Sequence, residues 1–204
     1  MNKIFILLVT ILLSAGFTSC KSDKKTDKTT DSEKKAAFSL KKAANEINFT
    51  AYKFTEKKGV GGQFRQVKIT SGGAGNTIKE AINNAEFSIP ISSLFTKDSS
   101  RDYKIQKFFF GVMSSTKLLS GKLMIENDSI GSATIKMNGI SEKVPFKYTI
   151  VENTFALSAT MDISNWNALD ALASLNKVCE ALHTGSDGIS KTWSDVALSI
   201  TSKF

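Results

Sequence analysis

The side chains that could carry chemistry are few and scattered. The chain of 204 residues holds one histidine, His183, and two cysteines, Cys20 and Cys179. That set cannot supply a His- or Cys-rich metal site, so no metal is expected. Nucleophilic catalysis needs a base beside its nucleophile. His183 is the sole imidazole, and no Gly-x-Ser-x-Gly elbow occurs to present a serine to it. The cluster Gly72, Gly73 and Gly75 lacks a following Gly-Lys-Ser/Thr, so it offers no phosphate cradle. Asp102, Glu142, Asp162 and Asp195 could be paired on paper, but no spacing favours a pair. Cys179 falls at helical apolar spacing and reads as a small core hydrophobe. His183 stands near a helix end, in reach of the last carbonyls. The expectation is a protein that is not an enzyme and uses no cofactor.

Cys20 has a different chemistry. A short basic start with Lys3 leads into the apolar run Ile4–Leu13. That run is too short for a bilayer core, which needs roughly 20 residues, but it has the length of a signal-peptide h-region. Ser14-Ala15-Gly16-Phe17-Thr18-Ser19 then leads to Cys20, a sequence similar to the bacterial lipoprotein box. Residues 1–19 therefore read as a signal peptide and Cys20 as the lipidated first residue of the mature chain. The alternative is ordinary secretory cleavage with Cys20 a bystander. Residues 20–35 read as a tether. Lys21–Lys35 contains no apolar residue and cannot bury enough surface to offset the entropy of ordering. The predicted location is the cell envelope, membrane-anchored and facing the periplasm or the cell surface.

The net charge is +8, with Arg65 and Arg101 the only arginines. It is spread thinly, without the arginine-rich helix or the aromatic-basic interleaving that nucleic acid would require, so no nucleic-acid partner is expected, and the charge reads as solubility or as attraction to a membrane surface. With Cys20 lipid-linked, no intramolecular disulfide is possible, and a domain of this size must hold its fold by a core.

Residues 36–204 supply that core. Apolar residues take alternate positions in Ala85–Ile91, Val144–Ile150, Phe155–Ile163 and Val196–Ile200, the mark of strands with one buried and one wet face. Weaker strand signals lie at Glu46–Phe54, Gln63–Ile69, Lys117–Ile125 and Ser132–Met137, giving about eight strands by pattern. Asn138-Gly139 and Glu152-Asn153 read as turns. Ser99–Phe110 predicts a serine-capped helix bearing Tyr103, Ile105, Phe108 and Phe109. Asn165–Leu182 predicts an amphipathic helix on Trp166, Leu169, Leu172, Leu175, Cys179 and Leu182, stopped near Gly185. Arg101-Asp102 reads as an ion pair or a charge pair at a helix start. Trp166 and Trp193 are expected in the core. The fold class is all-β: an antiparallel barrel of about eight strands with one or two short flanking helices.

Several stretches together resemble a known family. Val60-Gly61-Gly62-Gln63-Phe64 looks like the strand Val-x-Gly-x-Phe of the YceI-like family. Ile91-Ser92-Ser93-Leu94-Phe95-Thr96, then Arg101-Asp102-Tyr103-Lys104-Ile105 and Phe108-Phe109, resembles its most distinctive segment. Ser120-Gly121-Lys122-Leu123 and Met137–Ser141 match later motifs. The resemblance runs from Phe38 to Ser202. It departs at Asn45, near where the family often has a histidine, and at Asn165–Gly188, where the family is shorter.

The resemblance implies a lipocalin-like barrel that binds an isoprenoid or another long-chain lipid, here held at a membrane by an N-terminal lipid anchor. The candidate lining is Phe49, Phe64, Phe87, Ile89, Ile91, Phe146, Leu157 and Met161, with Phe108 at the mouth. The alternatives are that these side chains fill the barrel solidly, and that Phe108–Phe110 cap the core. In that case the domain is a tethered interaction module with no ligand.

Overall fold

Alternation along the chain becomes a sheet that curls back on itself. The computed structural model describes residues 36–204; Cys20, the signal segment and the tether lie outside them. In chain order the elements are β1 (Phe38–Ser39), β2 (Ala44–Lys53), β3 (Lys58–Phe64), β4 (Lys68–Ser71), β5 (Ala74–Gly75), α1 (Ile78–Ile82), β6 (Glu86–Pro90) and β7 (Leu94–Phe95). Then come α2 (Ser99–Phe108), β8 (Leu118–Ile125), β9 (Ile130–Met137), β10 (Ile140–Val151), β11 (Thr154–Asp162), α3 (Leu169–Val178), α4 (Glu180–His183) and β12 (Thr192–Lys203).

Ten strands form one antiparallel sheet in the order β4-β6-β8-β9-β10-β11-β12-β2-β3-β7. The two ends of that list are joined. β3 runs into β4 after a three-residue corner, and β6 runs into β7 through a 3-10 turn at Ile91–Ser93. Phe64 faces Leu94 in one half of this pairing and Ile69 faces Phe87 in the other. Between them Arg65 N donates to Ser93 O at 3.0 Å. Counted this way the sheet has eight long strands, and its first and last are hydrogen-bonded to each other. Closure of this kind leaves little free edge.

The structure corrects several expectations. Gln63–Ile69 is not one strand: Gln63 and Phe64 end β3, residues 65–67 make a corner, and Lys68 and Ile69 begin β4. β1, β5 and α1, of two, two and five residues, are too short to leave a periodic signal in the sequence. Asp98, not Ser99, caps α2: its side chain accepts from Arg101 N at 3.0 Å. The expected helix at Asn165–Leu182 is a 3-10 turn at Ile163–Trp166, then α3, then a break at Cys179 before α4. The Asn138-Gly139 turn has both residues at positive φ, 51° and 76°, as a two-residue hairpin of type I′ requires.

The barrel has two unlike ends. At one, the β2–β3 and β9–β10 turns lie beside α2, α3 and α4. Asn138 ties this end together. Its Nδ2 donates to Trp166 O at 2.9 Å, and its Oδ1 accepts from Ser114 N at 2.8 Å. At the other end, α1 and the β1–β5 pair sit beside the β8–β9 and β10–β11 turns. Leu40, Ile78, Ile82 and Phe155 are buried there.

Candidate functional site: the barrel interior

Parity decides which side chains point inward, and every long strand contributes. The interior holds an apolar cavity of about 130 Å³. Of the expected lining residues, Phe64, Phe87, Ile89, Phe146, Leu157 and Met161 border it. Phe49, Ile91 and Phe108 do not. Phe49 leans on Phe64 at 5.6 Å between ring centroids, in the packed layer toward the helical end. Ile91 is buried in that same layer. Phe108 ends α2 half-buried and meets Tyr103 edge-on at 6.4 Å. Phe109 and Phe110 are the buried members of the aromatic run, 4.9 Å apart, and with Trp166 they plug the helical end.

Residues missed by the sequence reading complete the wall: Ile47, Ile69, Leu119, Leu123, Ile135, Phe155 and Ile200. Extending the alternation of β10 and β11 to their neighbours by register would have found them. The lining carries two polar side chains, Asn45 and Ser202, and no charged one. These two bond each other: Ser202 Oγ donates to Asn45 Oδ1 at 2.6 Å, and Asn45 Nδ2 donates to Leu40 O at 2.9 Å.

The interior aromatics stay near the wall because glycines make room for them. Phe49 faces Gly62, Phe87 faces Gly121 and Phe146 faces Gly131 across neighbouring strands. A Cβ built at Gly62 would overlap the Phe49 ring. At Gly121 it would stand 2.7 Å from the Phe87 ring and at Gly131 it would overlap the Phe146 ring, with the Thr134 and Met124 carbonyls crowding the same two positions. Real Cβ atoms do not approach that closely, so each ring occupies the volume a side chain would have taken.

The titratable residues are dispersed. His183 Nδ1 lies 2.7 Å from Thr192 Oγ1 and 3.2 Å from Asn176 Oδ1, not at helix carbonyls as expected. Thr192 Oγ1 also donates to Asn176 Oδ1 at 2.6 Å, which ties α3 to β12. Burial lowers the His183 pKa, and Lys53, Lys104 and Arg101 lower it further. Cys179 is buried, and desolvation raises its thiol pKa. Asp162 and Asp195 face each other across β11 and β12 but serve different partners. Asp162 accepts from Ser164 N at 2.9 Å, while Asp195 pairs with Lys57. Arg101 pairs with Asp98 at 3.5 Å, and Asp102 instead accepts from Thr96 N and Oγ1 at 2.8 and 2.6 Å. Trp193 is not core. Its ring is half-buried, with Lys191 and Lys57 ammonium groups 3.8 and 4.8 Å from its centroid. Among the described residues, no cluster of His, Cys, Asp and Glu has metal-binding geometry.

The profile of the YceI-like domain matches residues 38–204. No curated protein matches the chain. Among solved structures, a polyisoprenoid binding domain from Saccharophagus degradans, implicated in plant cell wall breakdown, superposes with a TM-score of 0.57 at 12% identity. The match covers 82% of this chain and 98% of that one. BcnA of Burkholderia cenocepacia gives 0.51 at 11% identity, covering 78% and 94%. These likenesses show the fold, a mostly β chain curled into a lipocalin-like sheet. With the domain match spanning nearly all of the described residues, the chain belongs to the YceI-like family.

Proposed function

We propose that this protein binds the apolar chain of an uncharged amphiphile, an isoprenoid or an acyl lipid, inside its barrel and carries it without chemical change. The observation that supports this is the cavity, bordered by every long strand and bearing no charged side chain. A fatty-acid carboxylate buried there would have no cation to pair with, and an unpaired buried charge is heavily penalised. Binding energy would come from apolar area removed from water, at roughly 25 cal/mol per Å². The polyisoprenoid-binding relative supports the same reading.

Size sharpens the proposal. An apolar cavity of ~150 Å³ accommodates one benzene, so about 130 Å³ takes roughly one isoprene unit. A longer chain must move side chains apart, and Leu119, Leu123 and Met161 are among the half-buried residues of the lining. The same small volume favours the second reading, a filled barrel that serves as an interaction module. Native mass spectrometry of the purified protein, with uptake of isoprenoid and acyl probes, separates the two. A protein recovered empty that takes up neither probe excludes the carrier.

The location belongs to the proposal too. Lipidation at Cys20 and a tether over residues 20–35 would hold the barrel near a cell-envelope membrane that supplies or receives its ligand.

A further inference from the structure

We infer that the helical end of the barrel is a docking surface for an anionic phospholipid bilayer. Ten large apolar side chains stay exposed among the described residues, and seven of them lie at this end. α3 shows why. Its apolar stripe is wider than the barrel covers: Ala171 is buried and Leu172 and Leu175 half-buried, while Leu169 and Leu182 of α4 are 51% and 58% exposed. Tyr103 on the neighbouring α2 is 55% exposed. An exposed apolar face of this kind on an otherwise satisfied fold marks an interaction site.

Charge identifies the partner. Lys53 Nζ donates to Leu182 O at 2.7 Å, which puts an ammonium beside the exposed leucine. Lys107 Nζ donates to Tyr103 Oη at 2.8 Å. Lys53, Lys104 and Arg101 all act electrostatically on Cys179 and His183, which places three cations within reach of the α3–α4 break. The carboxylates nearby are partly spoken for. Asp98 holds Arg101, Asp102 accepts from Thr96, and Asp187 accepts from Thr55, leaving Glu56, Asp170 and Glu180. Leucines and a tyrosine rimmed by lysines fit an interface where apolar groups enter the headgroup layer and ammonium groups meet phosphate. A protein partner with an apolar face would not need the basic rim.

This inference concerns docking alone and stands whether or not the barrel is loaded. The test uses the full chain with Cys20→Ser, so that no lipid anchor contributes, in sedimentation with phosphatidylcholine vesicles with and without phosphatidylglycerol. Binding is expected on the anionic vesicles and is expected to weaken with salt. Leu169→Ser with Leu182→Ser, and separately Lys104→Glu with Lys107→Glu, should each weaken it about tenfold or more. Val151→Ser, an exposed apolar site at the opposite end, should leave it unchanged. The lysines of residues 21–35 are common to all variants and cannot produce a difference between them. Equal binding by all variants, or no preference for anionic vesicles, overturns the proposal. Because ligand uptake is not read, neither result bears on the interior cavity.

Discussion

Phe146 lies against Gly131 on the adjoining strand, in the space a side chain there would occupy. The two are register partners across β9 and β10, and a Cβ at Gly131 would come within 2.5 Å of the ring. Gly131→Ala should therefore destabilise the fold by about 1–3 kcal/mol, the usual cost of overpacking. It should also displace the ring, together with the Met124 carbonyl that a Cβ would meet at 2.5 Å, and reduce uptake of an isoprenoid probe. Urea unfolding together with a binding titration checks both. A variant with unchanged stability and uptake would mean that the ring has another resting place.

The cavity can be filled without disturbing the wall. Ala159 borders it from β11. Ala159→Leu adds three carbons where space exists, so its cost should not exceed the ~1–3 kcal/mol of overpacking a filled core. Probe uptake should fall tenfold or more if the interior is the binding site. Undiminished uptake would move the site elsewhere on the molecule.

The strands were legible where alternation was strong and hidden where glycine replaced it. Val144, Phe146 and Tyr148 of β10 announce their buried face in sequence and are buried in the fold. β3 carries Gly59, Gly61 and Gly62, so period two cannot be read through it, and the strand signal starts only at Gln63, one residue before β3 ends. α1 has five residues, too few for a helical period to show. The split of the site residues has a similar cause. Parity places Phe49 inside, as it does Phe87. It does not place Phe49 in the layer that Phe109, Phe110 and Trp166 fill from the helical end. The Asn45–Ser202 contact spans nearly the whole chain and leaves no mark in either local sequence.

His183 predicts a pH dependence. Burial holds its folded-state pKa below the ordinary value, so the unfolded chain binds the proton more readily. Its contribution to stability is complete above the unfolded pKa near 6.5 and is lost as pH falls from there through the folded pKa. Stability measured from pH 8 down to pH 5 should decline, and His183→Gln should flatten that decline. The carboxylates with lowered pKa, Asp98, Asp162 and Asp187 among them, act at lower pH and leave this window clear. An identical slope in the variant would assign the decline to another group.

The two cysteines offer a direct reading of the anchor. Cys179 is buried, and its raised thiol pKa keeps it unreactive in the folded state. If Cys20 carries a thioether-linked lipid, the native protein should show no thiol reactive to a chromogenic disulfide reagent, and Cys179 alone should appear on denaturation. An unmodified Cys20 would react at once in the native protein. Stable anchoring needs more than one acyl chain, so Cys20→Ser should release the protein from the membrane fraction. The helical end could still hold some of it there by docking. High salt separates the two modes, since it strips the charge-assisted contact and leaves an acyl anchor in place. A wild-type chain that salt removes as readily as Cys20→Ser would show that no lipid is attached.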